Sequence, residues 1–354
     1  MINVIDFFCG CGGTSAGLQD SGMKIVAGID NDAEAGRTYA ANFPDAQFLL
    51  KDIRQFSPSE LGPLLVGRPG KLLFAACAPC QPFTKQHTRK RDVDNRRELL
   101  DHFHKFIKEL APDYVLLENV PGLQKIARNQ GPLSRFLALL EALEYSFDVK
   151  VISSHDYGVP QIRKRLVLIA SRLGAITVPG ATHGVTPEKP HSTVWEWIGD
   201  LPSLEAGQSD STVPNHRAAN LSELNKRRMQ QTPVNGGRRD WPTDLTLRCH
   251  EGHSGHTDVY GRMVKDRPAS ALSTRCISLS NGRYGHPTQD RAISIREAAR
   301  LQTFPDDFQF FGSMASMARQ IGNAVPVKLA EAMGIAVKTH LSQATANHSS
   351  VSNG

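Results

Sequence analysis

The sequence predicts an α/β protein: a mostly parallel sheet in a larger first part, then a smaller, irregular, β-rich part. Three observations lead there. Short apolar runs of strand length recur through the first half of the 354 residues, several ending in an acidic residue. Glycine-rich turns and stretches of helical spacing separate them, the alternation that builds parallel sheets. From about residue 175 Pro, Gly, Ser, Thr, His and Arg dominate and no strong helical period remains. The length allows one large domain or two modest ones with ample core. Hydrophobic content of 40% with 21% charged residues is that of a globular chain, not a disordered one. A net charge of +6 favours an acidic partner. Six cysteines are too few for a disulfide scaffold at this length. No long apolar segment and no signal-peptide pattern occurs, so the expectation is a soluble cytoplasmic protein without a membrane partner.

Taken in order, Val4–Phe8 reads as a short strand, Cys9-Gly10-Cys11-Gly12-Gly13 as a glycine turn, and Thr14–Leu18 as the opening of a helix. Strand, glycine turn and helix make a nucleotide-cofactor site, because the bare backbone lets a ligand approach and helix N–H groups bind anions. The glycines are too close together for a dinucleotide fingerprint. Ile25–Asp30 is a second strand ending in an acid, about 20 residues after the turn, which suits ribose hydroxyls. Gln47–Ile53 is a third, with Asp52 at its end. Two strand-end acids after a glycine turn argue for an adenosine-containing ligand.

The run Leu72–Ala76 is a fourth strand, stopped by Pro79 and Pro82 around Cys80. A thiol there stands at a strand's carboxyl end, where open α/β sheets place ligands. Lys85, His87, Arg89, Lys90, Arg91, Arg96 and Arg97 follow at once. This window fits a nucleophile beside a cationic loop that meets a polyanion, and it equally fits a structural cysteine before a solvated loop. Leu99, His102, Phe103, Phe106, Ile107 and Leu110 predict an amphipathic helix over 96–110. Pro112–Leu117 is a fifth strand leading into Glu118-Asn119-Val120-Pro121-Gly122. A helix over Leu133–Leu143 follows, and Phe147–Ile152 and Leu166–Ala170 read as strands. Between them alternation puts Gln161, Arg163 and Arg165 on one face, as anion or base contacts or as a solvated basic edge.

Basic points of the irregular region are Lys226-Arg227-Arg228 and Arg238-Arg239, which suit groove contacts or any exposed loop. Ser294 and Glu297 form a capping-box pattern. A final helix opens near Arg319 and runs to about His340. These readings divide the chain into 1–178, a recognition region 179–285, a return to the first domain over 286–340, and a disordered tail 341–354. Metal readings are set aside. Cys9, Cys11, Cys77 and Cys80 match no usual cluster spacing, and Cys249-His250, His253 and His256 lack a clear ligand pattern.

Together the pieces resemble the DNA cytosine-5 methyltransferases. The motifs, in order, are Asp6-Phe7-Phe8-Cys9-Gly10-Cys11-Gly12-Gly13, Asp30, Asp52-Ile53, Pro79-Cys80-Gln81, Glu118-Asn119-Val120, Gln161-x-Arg163-x-Arg165, Arg296 to Pro305, and Gly322-Asn323-Ala324-Val325-Pro326. Each is weak alone; the ordered set is specific. The resemblance implies a Rossmann-like domain that uses S-adenosylmethionine. Phe8 would stack on its adenine, Gly10, Gly12 and Gly13 would meet its methionine end, Asp30 its ribose and Asp52 its adenine amino group. Asn31, Ile53, Pro79, Asn323 and Val325 would complete the pocket. Asp30 stands where glutamate is commoner, and Cys9, Cys11 and Ala78 replace alanine, a variable residue and proline.

The resemblance also implies the catalytic set Cys80, Glu118, Arg163 and Arg165. The chemistry agrees, since a thiolate adding at cytosine C6 turns C5 into a nucleophile. The base that removes the C5 proton is not assigned. The substrate would be a cytosine flipped out of double-stranded DNA, with Gln81, Thr84, Lys85, Arg89, Arg227, Arg228, Arg238 and Arg239 as DNA contacts. A bacterial modification enzyme is implied, acting as a monomer, solitary or with a restriction endonuclease of the same site. A tRNA-methylating branch shares these motifs but usually carries a Cys-Phe-Thr signature that is absent here. A non-catalytic DNA-binding relative would have lost one of the four catalytic residues, and a nicotinamide dehydrogenase needs another glycine spacing.

Overall fold

The strand β1 (Ile2–Phe7) is buried at every position, as a strand inside a parallel sheet covered on both faces must be. After it come α1 (Gly13–Asp20), β2 (Lys24–Asp30), α2 (Ala33–Asn42), β3 (Gln47–Leu50), the single turn α3 (Gly62–Leu65), β4 (Lys71–Ala76) and α4 (Leu99–Leu110). Then follow β5 (Tyr114–Asn119), α5 (Pro132–Ala142), β6 (Ser146–Ser153), the two-residue β7 (Gln161–Ile162) and β8 (Lys164–Ser171). This computed structural model describes residues 1–78, 99–122, 131–247, 255 and 258–351. The described chain divides into two units. The first comprises Met1–Ser153, Lys164–Gly180 and the segment from Val327; the second comprises Ser154–Arg163 and Ala181–Pro326.

The first unit holds a seven-stranded sheet in the order β3-β2-β1-β4-β5-β8-β6. Neighbours pair in parallel except β8, which is antiparallel to both β5 and β6. Every strand expected in this part is present. The chain builds outward from β1 to β3, then crosses back to β4 and builds the other way. The order therefore reverses between β1 and β4, the switch point at whose carboxyl edge open α/β sheets place ligands. Below that point Phe7 meets Phe74, Phe103 and Phe106 edge-on, with ring centroids 5.1, 4.8 and 4.9 Å apart. The buried face of α4 is Leu100, Phe103, Phe106 and Ile107; Phe103, Phe106 and Ile107 match the predicted stripe, whereas Leu99, His102 and Leu110 are only half-buried and Leu100 falls outside that stripe.

The last helix, α10 (Val327–Val351), closes this unit against α1. A Cβ on Gly17 would sit 2.2 Å from the Val327 carbonyl oxygen, so the two backbones touch where only glycine fits. Lys338 Nζ donates to the Ser21 carbonyl at 2.6 Å. The sequence suggests one helix from near Arg319 to about His340 before a disordered tail; instead the chain leaves helix at Ala324, a new helix starts after Pro326, and it continues to Val351. No Gly or Pro interrupts residues 341–351, and Ser342 and Thr345 satisfy their hydroxyls on carbonyls four residues back.

The second unit contains α6 (Val194–Ile198), α7 (Glu223–Gln230), β9 (Ala269–Ser270), α8 (Ile295–Leu301) and α9 (Met314–Asn323). It is irregular, as expected, but not β-rich: among the described residues its sheet is β7 paired with β9. Guanidinium groups take the place of strand ladders. Arg262 donates to the carbonyls of Met229, Thr232, His286 and Gln289. Arg296, fully buried, donates to those of Pro214, Pro305 and Phe308. Residues 286–326, read from sequence as a return to the first domain, pack within this unit. The N–H groups of Ile295 and Arg296 bond the carbonyls of Arg217 and Asn215 at 3.1 Å each. The capping box is present: Ser294 Oγ accepts the Glu297 N–H at 3.0 Å, and Glu297 Oε2 accepts the Ser294 N–H at 2.7 Å.

Candidate active site

At the end of β1, Phe8 adopts φ +57°, a left-handed conformation that costs an aromatic residue on the order of 1–3 kcal/mol. The turn continues through Gly10 (φ +52°) and Gly12 (φ +99°). A Cβ at Gly12 would lie 2.3 Å from the Phe43 ring, whereas one at Gly10 would meet nothing within 4 Å. That open space over bare backbone is what close approach of a ligand requires. Gly13 starts α1. At the end of β2, the Asp30 carboxylate accepts from the Gly10 N–H at 2.8 Å and the Asp32 N–H at 2.9 Å. Burial raises its pKa, and those two N–H groups oppose the rise. The open glycine turn, the half-buried Phe8 ring and the partly open Asp30 carboxylate fit the adenosyl ligand expected from sequence.

The Lys51 N–H bonds the Asp30 carbonyl at 3.0 Å, which brings Asp52 and Ile53 beside that strand end. Asp52 accepts from Arg54 Nε at 2.9 Å, and this partner lowers its pKa. Ile53 is buried and Asn31 exposed. Under the turn lies a group whose role sequence reasoning missed. Asp6 is fully buried, its Oδ2 accepts from Ser15 Oγ at 2.7 Å, and its Oδ1 has no hydrogen-bond partner among the described residues. Burial lifts its pKa to about 7. Ser15 Oγ also stands 3.0 Å from the Tyr39 hydroxyl.

Pro79, Cys80, Gln81, Thr84, Lys85 and Arg89 lie outside the described residues; the chain that leads to them does not. The Cys77 N–H bonds the Phe7 carbonyl at 3.3 Å. Asn119 Nδ2 donates to the Ala78 carbonyl at 3.0 Å while its Oδ1 accepts the Val120 N–H at 2.8 Å. The last carbonyl before Pro79 is thus pinned to the end of β5. Beside it Glu118 is 7% exposed. Arg165 Nε stands 2.7 Å from Glu118 Oε1, an ion-pair contact whose N–H is not aimed at that oxygen. The Cys77 thiol donates to Oε2 at 3.1 Å. Antiparallel pairing explains the meeting: Glu118 faces Val167 and Asn119 faces Leu166, so β8 begins where β5 ends.

The Gln161–Arg165 run keeps its predicted alternation in burial but divides between units. In the second unit Gln161 Nε2 donates to Gln302 Oε1 at 2.9 Å, and Gln161 Oε1 accepts the Leu272 N–H at 2.9 Å. The Arg163 guanidinium donates to the carbonyls of Leu272 at 2.9 Å and Gly322 at 3.0 Å. Asn323, exposed at the end of α9, and Val325, buried, also belong to that unit.

Of the arginines expected to meet DNA, Arg227 and Arg239 are exposed. Arg228 and Arg238 differ from that expectation because both are buried. Arg228 Nε donates to the Leu245 carbonyl at 2.9 Å and its guanidinium packs over the Trp241 and Tyr260 rings. Arg238 donates to the Gly255 carbonyl at 2.6 Å. In α7, Arg228 shares the buried side with Met229, and that apolar neighbour is the one sequence signal that separates it from Arg227.

Cys9 and Cys11 are buried, and burial pushes both thiols up, that of Cys11 to about 12. Such groups stay protonated and are poor nucleophiles or ligands. The cluster Cys249, His250, His253 and His256 lies outside the described residues. His155, Asp156 and His191 converge in the second unit. There His191 Nε2 stands 3.2 Å from Asp156 Oδ1, a hydrogen bond that accounts for their approach.

Comparison with known proteins gives one consistent answer. The family described as C-5 cytosine-specific DNA methylase matches residues 2–339. A type II methylase of Herpetosiphon aurantiacus, M.HgiDII, is 40% identical over 96% of this chain and 95% of its own length. A type II methyltransferase of Haemophilus parahaemolyticus, M1.HphI, is 33% identical over 95% and 86%. Among solved structures, a prophage-encoded protein of E. coli described as a DNA modification methyltransferase is 25% identical with a TM-score of 0.69, covering 97% of this chain and 100% of that one. The Spodoptera frugiperda DNMT2 structure, 19% identical with a TM-score of 0.63 over 95% and 100%, shares the fold.

Proposed function

The chain belongs to the C-5 cytosine-specific DNA methylases, and from that premise we propose how its own residues carry the reaction. It transfers a methyl group to C5 of cytosine in DNA. S-adenosylmethionine, the family's cofactor, supplies an electrophilic methyl group on a sulfonium. In our reading Phe8, Gly10, Gly12, Gly13, Asp30, Asn31, Asp52 and Ile53 hold it at the carboxyl edge of β1 to β3, helped by Pro79, Asn323 and Val325.

Cys80, as thiolate, adds to C6 of the target cytosine, and the displaced electron pair makes C5 nucleophilic. Glu118 delivers a proton to N3 as negative charge develops, and Arg165 holds the carboxylate and the ring oxygen beside it. Once C5 carries the methyl group, a base removes the C5 proton. The electron pair then reforms the C5–C6 double bond and expels the Cys80 thiolate, and the N3 proton returns to Glu118. Arg163 acts one step back, holding the backbone at Leu272 and Gly322. The observation that carries this reading is the Glu118 carboxylate, met by Arg165 and by Cys77, at the strand end where Asn119 pins the entry to Pro79-Cys80.

We further infer a type II modification methylase of the bacterial cytoplasm. It works as a monomer on a specific double-stranded site, with any partner endonuclease reading the same site without touching it. No helix among the described residues is long and apolar enough to cross a membrane. Gln81, Thr84, Lys85, Arg89, Arg227 and Arg239 are the proposed DNA contacts, while Arg228 and Arg238 support the unit that carries Arg227 and Arg239. The test is transfer of labelled methyl groups to mixed-sequence duplex DNA and to total tRNA, with Cys80→Ala alongside. Label in DNA, lost in the variant, is the expected outcome. Label in tRNA alone, or undiminished transfer by Cys80→Ala, would overturn the assignment.

A further inference from the structure

Cys77 has no part in the chemistry described so far, yet its thiol meets the carboxylate on which that chemistry turns. Three facts fix it there. Its backbone N–H is tied to the Phe7 carbonyl at the end of β1. Its Sγ lies 3.1 Å from Glu118 Oε2. On the other side of the same carboxylate Arg165 Nε stands 2.7 Å from Oε1. Glu118 thereby meets Cys77, just past β4, at one oxygen and Arg165 of β8 at the other, and with 7% of its surface exposed it has little water to satisfy it.

We propose that Cys77 is a positioning residue for methyl transfer: its S–H donates to Glu118 Oε2 and holds the carboxylate in the orientation from which it serves the target cytosine. A thiol is suited to this. It is a weak donor, so it keeps a buried oxygen from being unsatisfied without competing strongly once the cytosine N3 arrives. Arg165 contributes charge and Cys77 contributes direction. The proposal rests on the reading that Glu118 acts on the cytosine.

Steady-state kinetics on duplex DNA test it, with Cys77→Ala, Cys77→Ser, Glu118→Gln and the double variant Cys77→Ala/Glu118→Gln. Loss of one such hydrogen bond predicts that Cys77→Ala lowers kcat by about five- to tenfold. The KM values for S-adenosylmethionine and DNA should stay within about twofold, since no ground-state contact to either is removed. Cys77→Ser, which restores a donor at that position, should recover most of kcat. In the Glu118→Gln background Cys77→Ala should have no further effect, because the two act as one unit. Unchanged kcat in Cys77→Ala, a serine variant as slow as the alanine one, or additive losses in the double variant would each overturn the proposal. Full turnover by Glu118→Gln would instead remove the reading beneath it, and is told apart because that variant alone reports it.

Discussion

Asp6 sits under the glycine turn with a pKa lifted to about 7 by burial, far above the value near 3.9 of an unfolded chain. The folded protein therefore holds a proton on Asp6 through the window between those values. Its contribution is fully present below the unfolded pKa and is lost as pH rises toward 7, with no further change above. Asp6→Asn has no proton to lose, so relative to native it should gain up to a few kcal/mol at pH 8 compared with pH 5. Thermal melts of both proteins at the two pH values check this. Arg165→Ala should lower turnover by roughly a hundredfold or more while S-adenosylmethionine binding persists, measured by single-turnover transfer beside equilibrium binding. Asp30 and Glu118 were legible in the sequence because acids at the ends of apolar runs mark a sheet's ligand edge. Asp6 and Cys77 were not. What they do is set by Ser15 and Glu118, which reach them only through the fold.

The elements of the first unit could be read because each strand is a short continuous apolar run, and periodicity needs no distant partner. Elements of the second unit are joined differently. Arg262 gathers carbonyls 24 to 33 residues away along the chain, and no local pattern announces such a bond. Two helices show what the contacts are worth. In α8, Glu297 makes paired bonds at 2.7 and 2.8 Å to Arg291, both side chains buried. Glu297→Ala leaves a buried guanidinium uncompensated and should cost about 3–5 kcal/mol, read as a lower denaturant midpoint. In α1, Gly17→Ala drives a methyl group into the backbone of α10 and should cost about 1–3 kcal/mol by overpacking, visible as a lower Tm with the far-ultraviolet spectrum unchanged.

Across the whole chain the +6 charge overstates what a phosphate backbone can meet, because Arg228, Arg238, Arg262, Arg291 and Arg296 are buried. Duplex binding should weaken steeply with salt. Arg227→Ala and Arg239→Ala should each reduce the log–log slope by about one, whereas Arg228→Ala should lower Tm and leave the slope alone. The contact between α1 and α10 bears on a different matter, the order in which the protein is made. Gly17 lies under Val327, so the first unit is finished only when the last helix leaves the ribosome. Residues 181–326 are synthesised in between, which takes on the order of ten seconds at ~5–20 residues per second. Throughout that interval the apolar side of α1 waits uncovered, and a nascent chain stalled before Val327 is the form that a chaperone would find.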